Sequence, residues 1–595
     1  MRSLGVLPRL RGVLVAFLAC ACAPAVAQQA VDSWAPQGSA SPIGLIVNDP
    51  VRGVIPFPPV HATLLPDGRV MLFATTGIHA RAAWFTPTAV EQDPPALVVL
   101  TPDTVPVDVD PPLDFTDTAG LQWHVEETLF CSGHSLTADG SLFSAGGTLL
   151  YSIKDPSTQT TVNYIYGMPQ ATLYSYPLRT WFRQQNMVGT GESGMNMRWY
   201  GTVTRLANQL MLVSSGYELA SVQVRRPDQP TEHHPGTPNR SVEIWLPTAQ
   251  ASGGARAVVS THAETPREIW NPDYTHAFQV PYGPPLVPPN TVLMFGDAGV
   301  PVYFFPDSAP GSRWMTLSAT PRPGARSTDA PNHGTASALL PLRAINGEWG
   351  YANGSILQAG GGRESQMERS IDFFEISSGS WGQGADLGVR RRYPATVLLP
   401  DGKVTIVSGY DATGANTFLR SAHYLDLRPP ISPTTTLTTG TAASGEVRGY
   451  HNVALLLPDG RVLIAGGRSA GETGPEDEKP TFRYLYPPYL SPRESPPPRP
   501  AITAAPATIG YGASFSVGFS GGPISEVVLM GLGSMTHAFD TNQRYVQLAT
   551  TSQGANAVQI TGPANVQTAP PGHYMLFVLN AARVPSVARI VRLAP

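Results

Sequence analysis

An all-β chain, with a seven-bladed propeller followed by a small immunoglobulin-like sandwich, is predicted by three observations. One strand-turn-strand unit recurs seven times, a proline-rich break follows the last copy, and short alternating strands fill the remainder. The composition agrees. Of 595 residues, 58 are Gly and 60 are Pro, 14% are charged and 42% are hydrophobic, which is rich in turns and able to bury a large core. A chain of this length exceeds one ordinary core, so it needs at least two domains or a repeat architecture. A net charge of -4 without any Lys/Arg-dense tract argues against nucleic acid and anionic membrane surfaces as partners.

The first 27 residues carry Arg2, Arg9 and Arg11, then an apolar run from Val13 to Cys20, and end in Ala25-Val26-Ala27. This is the pattern of a secretory signal peptide with a small-x-small cleavage site, and it places the mature chain in an extracellular or periplasmic compartment, starting near Gln28. Phe17-Leu18-Ala19-Cys20 loosely resembles a lipoprotein processing site, which makes anchoring through Cys20 the alternative. No later segment is apolar for long enough to span a bilayer. Cleavage removes Cys20 and Cys22 and leaves Cys131 as the only cysteine. An unpaired thiol in an oxidising compartment is lost, buried or chemically engaged, and taken alone Cys131 reads equally as a buried apolar filler.

The repeating unit is an aromatic or His lead-in, a short apolar strand, an Asp-Gly type turn, a second apolar strand and a Gly-rich end. Clear copies run from His61 to Phe73 around Pro66-Asp67-Gly68, from Tyr393 to Gly409 around Pro400-Asp401-Gly402, and from Tyr450 to Gly467 around Pro458-Asp459-Gly460. Asp-Gly between apolar runs signals a hairpin because the turn requires positive φ. Weaker copies span Cys131 to Gly147, Tyr200 to Gly216, Tyr274 to Gly299 and His333 to Gly362. Between them lie further strands bearing Trp181, Trp245 and Trp381. Paired hairpins with these Gly-Gly and Trp positions are the signature of kelch-type propeller blades. A β-sandwich would also give many short strands, but seven recurrences favour the radial repeat.

The expected organisation is therefore a signal peptide over 1–27, a propeller over 28–490, a proline-rich linker over 491–500 and a sandwich over 501–595. In the last region Ser514 to Phe519, Glu526 to Met530 and His573 to Val578 alternate as strands, without the disulfide of antibody domains.

Chemistry concentrates in four stretches. They are Phe130-Cys131-Ser132-Gly133-His134, Met197-Arg198-Trp199-Tyr200-Gly201, Gly449-Tyr450-His451-Asn452 and Ser534-Met535-Thr536-His537-Ala538-Phe539. A phenol oxygen and an imidazole nitrogen suit a tetragonal Cu(II). Each residue also has an ordinary structural reading: Tyr450-His451 as a packed aromatic beside a surface histidine, Tyr200 as blade packing, His537 as a turn residue. His134 either lines the same pocket or ends a strand, and His233-His234 falls in a Pro-rich loop.

Taken together, these motifs and the closing run Pro570 to Asn580 resemble the copper radical oxidases, the family of galactose oxidase and glyoxal oxidase. The resemblance extends over nearly the whole mature chain. It implies one copper held by Tyr200, Tyr450, His451 and His537, and a thioether between Cys131 and Tyr200 that makes a Tyr-Cys radical cofactor. It also implies a cycle in which Tyr450 takes the substrate proton, the Tyr200 radical takes hydrogen from carbon, and dioxygen is reduced to hydrogen peroxide. Tyr217, in Ser214-Ser215-Gly216-Tyr217, stands where galactose oxidase stacks a tryptophan over its thioether. Gln366 stands where the family places a glutamine near the substrate. Thr275 replaces the sugar-recognising arginine that follows Tyr274, and a threonine cannot supply a guanidinium fork. The resemblance is thus closer to glyoxal oxidase, with small aldehydes, as hydrates, or primary alcohols as substrates. Two other readings remain open from sequence: a kelch propeller that only binds, with a degenerate site, and a surface protein whose peroxide or cross-linking is incidental.

Overall fold

The computed structural model describes residues 32–595 apart from 36–42, 50–51, 76–81, 94, 109–111, 189–195, 228, 230–231, 267–273, 283–286, 297–298, 318–321, 324–333, 344–353, 412–419, 428–436, 443–446 and 469–476. The expected leader over 1–27 lies outside the described residues. Among those described, seven antiparallel blade units follow one another, four as separate four-stranded sheets and three linked through extra strands into a sixteen-stranded sheet. Their first strands are Pro59–Leu64, Gly133–Leu136, Thr202–Arg205, His276–Gln279, Ala336–Leu339, Ala395–Leu398 and Asn452–Leu456. These strands line the axis, with blade 2 packed on 3, 3 on 4, 5 on 6, 6 on 7 and 7 on 1. First and second strands are buried on both faces, as at Val462–Gly466, so they read as continuous apolar runs rather than alternating ones.

Every repeat found in the sequence supplies the first hairpin of a blade. The turn glycines Gly68, Gly140, Gly402 and Gly460 all have φ between 79° and 88°, and in the weaker copies Gln209 and Asn290 adopt the same left-handed conformation. Gly-Gly ends have a different purpose. A Cβ on Gly146 would collide with the carbonyl oxygen of Arg198, and one on Gly466 with that of Pro59, so the second strand ends in glycine because the next blade's main chain crosses there.

A buried arginine staples several blades. Arg198 donates from Nη1 to Ser215 O (2.6 Å) and from Nη2 to Ser241 O (2.9 Å), Arg391 from Nη1 to Ile406 O (2.9 Å), and Arg448 from Nη2 to Thr481 Oγ1 (2.8 Å). The ring is closed by the N-terminal segment. Ser33–Ala35 and Ile43–Asp49 both pair antiparallel with Thr481–Tyr486 of blade 7.

A further six-stranded sheet stands outside the blades. It is made from Leu113–Thr116, Gln122–Thr128, Thr148–Asp155, Thr160–Gly167, Tyr217–Arg225 and Glu232–Pro238, which are the lead-in to blade 2 and the connections between second and third strands of blades 2 and 3. His233-His234 therefore lies on a strand, not in a loop. That strand tolerates its prolines because it is the sheet's edge and pairs on one side only.

The C-terminal strands from Ala501–Ala504 to Arg589–Ala594 form a sandwich around Val517, Phe519, Val527, Leu529, Val558, Ile560, Leu576 and Val578. Tyr545–Gln553 joins its two layers, pairing first with Ile524–Gly531 and then with Ala557–Thr561. One hairpin leaves the sandwich and enters the propeller channel. Its arm Ser534–Thr536 pairs with Pro59–Leu64 of blade 1, and Phe539 with Ser337 of blade 5. Phe539 also stacks on His276 of blade 4 (centroids 4.5 Å), Thr541 Oγ1 donates to His134 O of blade 2 (3.0 Å), and Gln543 Nε2 donates to Thr396 O of blade 6 (3.1 Å).

Candidate metal centre

The site is built on a repeated backbone device. Cys131, Tyr200, Tyr274 and Tyr393 each stand two residues before the first strand of blades 2, 3, 4 and 6, and each has positive φ (63°, 63°, 47° and 52°). His451, directly before Asn452–Leu456, has φ 67°. For residues other than glycine, left-handed backbone costs roughly 1–2 kcal/mol each. The strain is localised on side chains that the channel mouth brings together. His537 arrives from below, at the tip of the inserted hairpin. Pairing of Met535 with Asp540 and Thr536 with Phe539 leaves a two-residue turn, His537-Ala538, with φ 47° and 71°, the twist-matched turn usually made by Asn-Gly.

Four chain segments thus meet. The ring centroids of Tyr200, His451 and Tyr450 lie 4.7, 4.4 and 5.2 Å from that of His537, and Tyr450 stacks on His451 at 3.8 Å. Ligand atoms of Cys131, His451 and His537 all fall within 4.8 Å of one another. Cys131, Tyr200, His451 and His537 are buried, whereas Phe130, Trp199 and Tyr450 keep part of their surface accessible and form the rim.

The donor set fits a copper ion. Burial holds both imidazoles well below their ordinary range, and Arg468 adds to the effect at His451; they are neutral, as a metal ligand must be. Nδ1 of His451 is bonded to the Glu478 carboxylate, while its Nε2 has no hydrogen-bond partner although buried. An imidazole oriented by a carboxylate with its other nitrogen left bare is the usual outer support of a metal ligand. Thr536 Oγ1 lies 2.5 Å from Nδ1 of His537 and plays the same part there. Burial drives the Tyr450 phenol well above its ordinary range, while the Arg468 guanidinium, 4.7 Å from the ring centroid, opposes the shift.

The structure places Tyr217 differently from the sequence expectation. The ring stacked on Tyr200 is Trp199, with centroids 3.6 Å apart and planes at 17°; the left-handed φ of Tyr200 folds the two neighbouring rings onto one another. Tyr217 pairs its main chain with Trp199 and keeps its ring 6.3 Å from the indole. The side sheet holds that indole in place, since Trp199 Nε1 donates to Thr148 Oγ1 (3.0 Å), which donates to Phe130 O (2.7 Å). Gln366 is exposed on the short turn Glu364–Gln366, without a hydrogen bond to any of the cluster residues. Its loop joins the second and third strands of blade 5, Ile356–Ala359 and Ser370–Glu375, a connection whose length the blade does not fix. His134 is buried beneath the cluster among His61, Thr63 and Ser534.

Glu478, Arg468, Tyr274 and Tyr393 were not legible as site residues. Tyr274 packs on His537 (4.4 Å) and Tyr393 on Tyr450 (4.7 Å). Their place as lead-ins of blades 4 and 6, equivalent to Tyr200 in blade 3, is the signal that could have found them.

Residues 499–593 match the galactose oxidase-like Early set domain. The chain is 32% identical over 211 residues to a galactose oxidase of Gibberella zeae, covering 34% of this chain and 29% of that protein. It is 36% identical over 217 residues to the aldehyde oxidase GLOX of Vitis pseudoreticulata, covering 33% and 40%. These alignments therefore span well under half of those relatives. Among solved structures, a fungal alcohol oxidase of the AA5 family in complex with copper superposes with a TM-score of 0.60 at 18% identity, covering 95% of this chain and all of that one. Parts of the chain are thus similar in sequence to a galactose oxidase and to aldehyde oxidases, its C-terminal region to the galactose oxidase-like Early set domain, and its fold to that of the AA5 alcohol oxidase.

Proposed function

We propose that this chain is an exported copper-dependent oxidase that converts small aldehydes, as their hydrates, or primary alcohols while reducing dioxygen to hydrogen peroxide. The observation that carries the proposal is the convergence of Cys131, Tyr200, Tyr450, His451 and His537 from three blades and the inserted hairpin, with His451 Nε2 buried and bare. Tyr200, Tyr450, His451 and His537 would hold the copper. When bound, it supplies a Lewis acid for a substrate hydroxyl oxygen and a one-electron acceptor.

The remaining work falls to the chain. His451, fixed by Glu478, and His537, fixed by Thr536, orient the donor set. Tyr450 as phenolate would accept the substrate hydroxyl proton. Tyr200, joined to Cys131 through a thioether, removes a hydrogen atom from the carbinol carbon. Cross-linking breaks the Cys131 S–H and one ring C–H ortho to the Tyr200 oxygen and forms a C–S bond; the two electrons and two protons pass to dioxygen. Trp199 covers one face of the Tyr200 ring and excludes water from it. In each turnover the substrate likewise loses two electrons and two protons to dioxygen. Thr275, in place of an arginine after Tyr274, cannot itself supply a guanidinium fork for sugar hydroxyls, which favours aldehydes over hexoses.

The test is the intact mass of copper-free protein before and after copper and air. Wild type should become lighter by two hydrogens and Cys131→Ser should not change; an unchanged wild type would sink the assignment. A peroxide-coupled assay over glyoxal, glycolaldehyde, galactose and simple alcohols then addresses the substrate, and peroxide from galactose alone would refute the preference for aldehydes.

A further inference from the structure

The kinked lead-ins are tied blade to blade by their main chains. Tyr200 N donates to Cys131 O (2.8 Å), Tyr274 N to Tyr200 O (3.3 Å) and Tyr393 N to Gly334 O (2.7 Å). The rung before Cys131 is different. Blade 1 is bulged between Pro59 and His61, and the group that accepts the Cys131 N–H is a side-chain atom, Nε2 of His61, at 2.9 Å.

That substitution fixes a sequence of hydrogen positions. A ring nitrogen accepting from a main-chain N–H carries no proton, so a neutral His61 bears its hydrogen on Nδ1. Nδ1 lies 3.1 Å from Nε2 of His134 and must donate to it. His134 then bears its own hydrogen on Nδ1, which donates to Ser534 Oγ at 2.7 Å, and Ser534 Oγ can donate to Thr63 Oγ1 at 2.9 Å. All four side chains are buried. Ser534 begins the hairpin whose tip is His537, and its main chain pairs with Thr63. One directed chain of hydrogen bonds therefore runs from the Cys131 backbone, through blades 1 and 2, to the arm that carries His537.

We infer that His61 and His134 are positioning residues: they hold Cys131 in its left-handed turn, aim its sulfur at the Tyr200 ring, and set that sulfur against His537, so that the thioether forms. The inference rests on the proposed Cys131–Tyr200 cross-link and deepens it. The blander reading is that two histidines fill a core between blades for stability alone. Against that, burying two imidazoles is costlier than burying apolar rings unless their polar atoms are used, and here each ring uses both nitrogens in a direction set by Cys131.

The experiment follows cross-linking in time. Copper-free full-length protein receives Cu(II) and air, and loss of two hydrogens is read by intact mass, alongside a thermal melt of the copper-free form. His61→Phe removes the acceptor and should slow cross-linking about tenfold, the equivalent of one buried hydrogen bond. His61→Gln, whose Oε1 can accept the same N–H, should recover to within about threefold of wild type, a rescue that core filling does not predict. Ser534→Ala cuts the chain at its far end while removing only a hydroxyl, and should slow cross-linking severalfold even if His61→Phe fails to fold. Wild-type rates in His61→Phe or in Ser534→Ala, or a His61→Gln protein as slow as His61→Phe, would overturn the inference. A wild type that never loses the hydrogens overturns the cross-link reading beneath it, a distinguishable result.

Discussion

Tyr450 and His451 are neighbours in sequence with different expected jobs, and substitution separates them. Tyr450→Phe should keep copper and the thioether but lose about 10²- to 10⁴-fold in turnover, the usual size of a general-base contribution, measured as peroxide release at saturating substrate. His451→Ala should instead weaken copper binding itself. Glu478→Gln, which alters the support of His451 Nδ1 and the pairing with Arg468 (3.7 Å), should cost about 10- to 100-fold in copper affinity, read by competition with a chelator. The residues that stood in sequence motifs, Cys131, Tyr200, Tyr450, His451 and His537, are those the structure brings together. The role of Trp199 was not legible, although it sits beside Tyr200, because stacking of adjacent rings depends on the left-handed φ of Tyr200, which no residue preference announces. Glu478 lies 27 residues beyond its partner, a contact without a fixed spacing.

At the scale of elements, the hairpin bearing His537 is held open by Asp540, whose Oδ1 accepts main-chain N–H groups of Ser534, Asn542 and Gln543, each at 2.9 Å. Asp540→Ala should destabilise the protein by about 2–3 kcal/mol, since it strands buried donors, and should weaken copper binding in parallel; a thermal melt and a copper titration check the pair. In the side sheet, His124 is bonded to Asp114 (Nδ1 to Oδ1, 2.9 Å), and Glu126 and then Asp114 raise it to about 8. A raised folded-state value means the stabilisation is complete below about pH 6.5 and is lost as pH rises through about 8. Hydrogen exchange in Gln122–Thr128 should therefore quicken across that window, and His124→Gln should flatten the dependence. The seven hairpins were legible because four carry Asp-Gly turns, a local signal, and the remaining copies keep an Asn at the turn. The side sheet was not, because its strands come from three separate connections whose pairing depends on long-range register.

At the scale of the whole molecule, propeller and sandwich are mechanically one object. The hairpin touches first strands of blades 1, 2, 4, 5 and 6, so calorimetry should show a single unfolding transition rather than one per domain, and copper should raise its midpoint by mass action. The insertion of that hairpin also governs timing. A chain is made and folds from its N-terminus, and on the proposed reading the cysteine and both tyrosines are in place while His537 is still unmade. On that reading the oxidant would not be assembled before the last domain is made, so that domain would act as a safety interlock: only a chain folded to its end would acquire chemistry able to damage it.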